Sequence, residues 1–176
     1  AADIVEYDLD SNPASGSGAG YMERFIHGEI YKARPDVMAV VHCHCLDVIP
    51  FAGTNVPLRP MYHMGYFIGE GVPVFDIRAV AGMTDMLVST PALGQSLARV
   101  LGSHPAALMR GHGAVVVADS LHVVVAKAYY LNVNARMQRD AMQLKGGVTY
   151  LSPEEAKKAV QTYERSWEFW KSRLPR

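Results

Sequence analysis

The segment AVVHCHCLDV, residues 39–48, sets four metal-capable side chains side by side: His42, Cys43, His44 and Cys45. In an extended strand, successive side chains point to opposite faces. His42 and His44 then share one face, while Cys43 and Cys45 share the other. Two residues along a strand the Cα atoms stand roughly 6.5–7 Å apart, a span over which two imidazoles can reach one ion. One ion cannot sit on both faces, so the cysteines read as small core residues. A second signal is Gly111-His112-Gly113, where glycine on both sides allows a sharp turn that presents one imidazole in a tight space. Each feature alone has a plainer reading: a hydrogen-bonded histidine pair in a polar cleft, and a simple hairpin turn. Together, three neutral imidazoles with an open fourth position make the ligand set of a catalytic zinc site rather than a structural one.

A catalytic metal works with an acid/base partner. Glu23 is a candidate, next to Arg24 at the start of the first expected helix. A carboxylate there also suits the helix N-terminus on electrostatic grounds alone. His63 lies in a Gly/Pro-rich loop among Tyr62, Tyr66 and Phe67, the composition of a pocket wall and equally of plain packing. His27 and His122 fall within expected helices and His104 precedes Pro105; all three read as structural or solvated.

These side chains need a scaffold. Met22, Phe25, Ile26 and Ile30 recur at helical spacing, and Pro35 ends that helix near Arg34. VMAVVHCH is rich in β-branched residues and predicts a buried strand that includes both histidines. AALMRGHGAVVVA predicts two apolar strands joined by the Gly-His-Gly turn. Thr90-Pro91 marks a helix start, with Gly102 as its stop. A long helix is expected from about Leu121 to Leu144, closed by Gly146-Gly147. Ser152-Pro153-Glu154-Glu155 matches a capping box, opening one last helix through VQTYERSWEFWKSRL. Residues 11–20, SNPASGSGAG, read as a loop, and 51–75 as loop with short strand. Helices and strands mix irregularly, which predicts α/β layers around one sheet.

The chain has 176 residues, 49% apolar and 19% charged, an ordinary globular mix for one domain. Lys+Arg and Asp+Glu are both 17, which argues against a nucleic-acid or membrane-surface partner, since either calls for a basic excess. No apolar run has the length of a membrane span, and AADIVEYDLD lacks the shape of a signal peptide. Two cysteines two positions apart are no disulfide framework, so a reducing cytoplasm is the expected location.

The combination of ERFIHGEIYKARPDVMAVVHCH, a later RGHGAVV and a long helix resembles the class II aldolase/adducin family, over roughly residues 20–145. The resemblance implies a three-layer α/β/α sandwich around a mixed, mainly antiparallel sheet. It also implies a fourfold-symmetric homotetramer with active sites at subunit interfaces, acting on a small-molecule carboxylate. It implies a single domain over 1–176 that lacks the family's N-terminal portion. Carried over position by position, His42, His44 and His112 correspond to the metal ligands, for Zn²⁺ or Mn²⁺, and Glu23 to the acid/base residue. The adducin branch, a cytoskeletal interaction module, does not keep this full set, so the resemblance implies an enzyme. Where the sugar-phosphate aldolases of the family carry serines before the glutamate, this chain has Tyr21 and Met22, which do not offer short hydroxyls to a phosphate. DIVEYDLDSNP and VPLRPMYHMGYFIGEGVPVFDIR look more like a branch that decarboxylates hydroxylated aromatic or pyridine dicarboxylates. The expected alternatives are an aldolase or epimerase on a sugar or hydroxy-keto acid, and a non-enzymatic adducin-like module. Tyr62, His63 and Arg110 are the expected substrate contacts, with Arg24 and Arg78 further candidates by type for a carboxylate partner.

Overall fold

The apolar run 106–118 folds as expected. β3 (Ala106–Met109) and β4 (Gly113–Ala118) are antiparallel neighbours, both buried along their whole length. β1 (Ala39–Cys43) joins β4 on its other side, also antiparallel, with His42 opposite Val115 and Cys43 opposite Ala114. The short β2 (Val74–Phe75) adds parallel to β3, giving the order β1-β4-β3-β2. The structure, a computed structural model, describes residues 4–14, 20–159 and 161–175. Much of the 11–20 loop expectation therefore lies outside the described residues. β1 ends one residue early, so His44 is the first residue beyond the strand.

Side-chain alternation divides the sheet between two cores. On one face, Val115 and Val117 of β4 and Ala107 and Met109 of β3 pack under α1 (Arg24–Ala33) and α4 (Pro91–Leu101), through Ile26, Ile30, Leu97 and Leu101. On the other, Ala114, Val116 and Leu108 meet Phe51 of α2 (Ile49–Ala52), Ile68 of a 3-10 helix (His63–Ile68), and Val124, Leu131 and Ala135 of α5 (Leu121–Ala141). This is the expected three-layer α/β/α arrangement. Thr90 caps α4, its hydroxyl accepting the Leu93 N–H, with Pro91 at the first helical position. α3 (Arg78–Ala81) is a single turn between β2 and α4.

α5 also supplies hydrogen bonds to chain that makes none of its own in a sheet. Asn134, fully buried, accepts the Met61 N–H and donates to the Arg59 carbonyl, each at 2.8 Å. Gln138, one turn on, accepts the Arg59 N–H and donates to the Pro57 carbonyl, again at 2.8 Å. Two amide side chains thus pair with part-buried backbone groups of the Pro-rich stretch 57–61. Just beyond His44, buried Asp47 accepts from Arg136 and Arg139 of the same helix. Burial alone would raise that carboxyl; the two guanidinium groups outweigh it and hold it below the usual carboxylate range.

The expected single last helix is a correction. The capping box at Ser152 forms, but the helix it opens is short, α6 (Pro153–Lys158), and a separate α7 (Glu164–Lys171) follows. Between them Tyr163 turns inward to 1% exposure and stacks on Tyr130 and Tyr66, at 5.9 and 6.4 Å between ring centroids. Burying that ring against α5 outweighs continuing an otherwise exposed helix.

Replacing Asn134 by Ala removes the partner of the part-buried Met61 N–H and Arg59 carbonyl, an expected cost of about 1–3 kcal/mol. Equilibrium denaturant unfolding measures this; an unchanged midpoint would contradict the role given to the amide.

Candidate metal centre

Glu23, His42, His44 and His112 come together from three parts of the chain. Glu23 is the residue at which α1 begins and is 4% exposed. His42 is on β1, His44 just beyond it, and His112 in the turn between β3 and β4. One ligand-capable atom from each lies within 4.8 Å of every other. The three imidazole rings form a near-equilateral triangle, with centroids 4.8–5.1 Å apart.

The backbone orients these groups. His42 Nδ1 lies 3.1 Å from the Ala114 carbonyl and His112 Nδ1 lies 3.1 Å from the Met86 carbonyl. A carbonyl only accepts, so each Nδ1 carries the hydrogen, and in the neutral imidazole Nε2 presents a lone pair to the centre. This is the arrangement expected of histidines that bind metal through Nε2. Glu23 Oε1 accepts the Val88 N–H at 3.0 Å, which turns Oε2 toward His42 Nε2 and His112 Nε2, 3.4 Å from both. His44 Nε2 stands 3.0 Å from His112 Nε2. His42 Nε2 is buried and, among the described residues, has no hydrogen-bond partner. Burial is the main cause that holds the His42 imidazole below its ordinary value, hence neutral. A buried lone pair facing a carboxylate oxygen is costly without a positive charge between them. The donor set therefore fits a divalent cation.

The turn depends on its two glycines for different reasons. Gly111 has φ +66°, in the left-handed region that side chains disfavour. Gly113 packs directly on β1: a Cβ there would run into the Cys43 carbonyl and the His44 Cα. Clearance at Gly113 is what lets His112 reach His44. Cys43 and Cys45, as alternation requires, point the other way and pack against the core on the α5 side.

The expected substrate contacts behave differently. Arg110 sits one residue before the turn, its Nε 2.9 Å from Asp76 Oδ1, and Arg78 pairs with the same carboxylate at 2.6 Å. Tyr62 and exposed His63 are not brought to the histidine cluster within this chain; Tyr62 stacks edge-on with His63 and Tyr130, on the side of α5. Three groups around the centre were not singled out in the sequence. Met86 O and Val88 N act through backbone atoms and leave no signal in residue type. His27, read as structural, lies one turn after Glu23; burial lowers it, with charges at His42 and Glu23 as its neighbours. It lines a cavity of about 370 Å³ with Tyr7, Tyr21, Arg24 and Tyr31. Burial raises the Tyr21 hydroxyl, and the adjacent Glu23 carboxylate raises it further.

Comparison with known proteins agrees with this architecture. Residues 1–139 match the family described as Class II Aldolase and Adducin N-terminal domain. The chain is 36% identical to Decarboxylase tropJ of Talaromyces stipitatus, over 97% of its own length and 74% of that protein. It is 33% identical to a 3,4-dihydroxyphthalate decarboxylase of Rhodococcus jostii, over 76% of its own length and 56% of that protein. An aldolase II superfamily protein from Pseudomonas syringae superposes with a TM-score of 0.72 at 19% identity, covering 96% of this chain and 68% of that one. The chain spans little more than half the length of the Rhodococcus relative. It belongs to the class II aldolase and adducin family.

Proposed function

We propose that this chain is a metal-dependent lyase that breaks a carbon–carbon bond, releasing carbon dioxide from a hydroxylated aromatic or pyridine carboxylate. The observation that carries the reading is the meeting of three imidazole Nε2 atoms with the Glu23 carboxylate in one small space, His42 Nε2 having no donor among the described residues. Relatives named decarboxylases, at 36% and 33% identity, support the choice of bond.

His42, His44 and His112 would hold the ion, Zn²⁺ or Mn²⁺. Bound there, a divalent cation supplies Lewis-acid stabilisation to negative charge on a substrate oxygen beside the breaking bond. Glu23 does the proton work. Its Oε1 is fixed by Val88, and Oε2 is left to take the proton of the ring hydroxyl. Glu23 then delivers that proton to the ring carbon bearing the carboxylate, as electron density from the oxygen interrupts the aromatic system. The C–C bond to the carboxylate breaks next, its electron pair returning through the ring π system to that oxygen; carbon dioxide leaves, the ring is aromatic again, and atoms and charge balance. The cavity along the helix that Glu23 begins, lined by three tyrosines, His27 and Arg24, has the composition to seat an aromatic ring and a carboxylate. Arg110 remains a candidate for a second carboxylate, with Tyr62 and His63 reaching a site only from a neighbouring subunit. Exposed Val80, Met83 and Met86, the last bonded to His112, suit a subunit contact and the expected homotetramer. Among the described residues no helix is long and apolar enough to cross a membrane.

Tyr21 and Met22 favour this reading over an aldolase acting on a phosphorylated sugar. The complete Glu23–His42–His44–His112 set favours an enzyme over an adducin-like interaction module, which should carry no stoichiometric metal.

Two substitutions test the division of labour. His112→Ala is expected to lose stoichiometric metal and activity; a variant that keeps both contradicts the three-histidine site. Glu23→Gln is expected to keep its metal and lose about 10²–10⁴-fold in rate, measured by single-turnover kinetics; an unchanged rate contradicts its acid/base role. The reaction class is decided by carbon dioxide release from hydroxylated benzoates, phthalates and pyridine dicarboxylates, with and without chelator. Chelator-sensitive release is expected; aldehyde formation from hydroxy-keto acids with no carbon dioxide from any ring acid would overturn the decarboxylase reading.

A further inference from the structure

The cysteines that alternate with the proposed ligands have no role in the chemistry above, and their geometry is unusual. Cys43 Sγ and Cys45 Sγ lie 2.7 Å apart, both as free thiols, on either side of His44. Both are half-buried and line a cavity of about 520 Å³ with Leu46, Asp47, Tyr129 and Arg136, on the opposite side of the strand from the histidines. A small oxidant can reach them without passing through the metal centre.

We propose that Cys43 and Cys45 form an oxidisable dithiol whose conversion to a disulfide by a peroxide loosens the metal held by His42, His44 and His112. The proposal rests on the reading of that centre given above. One thiol attacks the peroxide O–O bond, releasing water and becoming a sulfenic acid; the second thiol displaces the sulfenic oxygen as another water and forms the S–S bond. Two thiols and one peroxide give one disulfide and two waters, the two electrons passing from sulfur to peroxide oxygen.

The sulfurs need under an ångström of further approach to reach bonding distance, about 2.05 Å. The cost falls on the backbone. A bridge over one residue closes a small ring around His44, and it must twist the peptide units on both sides of that residue. The extended alternation that puts His42 and His44 on one side is lost at that point. The twist cannot be absorbed locally, because the Gly113 backbone lies against the Cys43 carbonyl and the His44 Cα. Movement there is passed to the turn that carries His112. Strain of this kind also makes a disulfide easier to reduce, so the change is reversible.

The test uses the whole reduced chain loaded with Zn²⁺, treated with hydrogen peroxide and then with dithiothreitol. Three quantities are read: denatured mass, free-thiol count and zinc retained after gel filtration. The expected result is a loss of about 2 Da, no free thiols, and zinc affinity lowered at least about tenfold, all restored by dithiothreitol. Methionine oxidation is told apart by its gain of about 16 Da. Cys45→Ala and Cys43→Ala are each expected to keep their zinc through the same treatment. Two thiols surviving peroxide overturn the proposal, as does a disulfide that leaves zinc affinity unchanged. Reduced protein that takes up no zinc overturns the coupling through failure of the metal centre itself, and is distinguished because mass and thiol count still report the disulfide.

Discussion

Three imidazole nitrogens and a carboxylate oxygen converge in a space less than five ångströms across, held there by backbone groups that cannot be reassigned. The carbonyls of Ala114 and Met86 take the Nδ1 hydrogens of His42 and His112, and the Val88 N–H takes one oxygen of Glu23. What remains is the Nε2 lone pairs of His42 and His112 facing a carboxylate oxygen, and among the described residues no donor reaches the buried His42 nitrogen. A folded protein seldom tolerates such an arrangement without a compensating charge or a function. The proposed cation and the proposed acid/base role of Glu23 both follow from it.

The remaining architecture holds these groups in register. Pairing of β1 with β4 puts His42 beside Ala114, and the glycine clearance at Gly113 brings the β3–β4 turn onto the end of β1. α1 packs on α4 and on the sheet through Ile26 and Ile30, which places Glu23 at the helix start over the histidines. On the far face, α5 fixes the chain leaving His44 through Asp47 and secures the Pro-rich segment through Asn134 and Gln138. β1 and the two residues beyond it present the proposed ligands to one side and thiols to the other, so one backbone distortion would reach both.

Much of this was readable in the residues because it depends on local periodicity. The His-x-His alternation, the Gly-His-Gly turn, the Thr90 cap and the long helix are short-range patterns, and the structure keeps them with shifts of a few residues at the ends. The pattern of helices and strands implied α/β layers around one sheet, and the family resemblance implied their three-layer arrangement. What escaped is set by tertiary contact. The segment 82–88 carries no signal in its residue types, yet its backbone orients both His112 and Glu23. The break between α6 and α7 comes from burying Tyr163 against rings far away in sequence. His27 looked like one more helical histidine until the fold set it beside Glu23 and a cavity. Tyr62 and His63 have the composition of a pocket wall, and within one chain they serve an aromatic cluster instead.

The central claim is that three histidines and neither cysteine hold the ion. X-ray absorption spectroscopy of the metal-loaded chain tests it most directly, because imidazole and thiolate differ in distance to the metal. The account predicts a first shell of nitrogen or oxygen at about 2.0–2.2 Å with imidazole scattering from three rings. A sulfur shell at about 2.3 Å would contradict it.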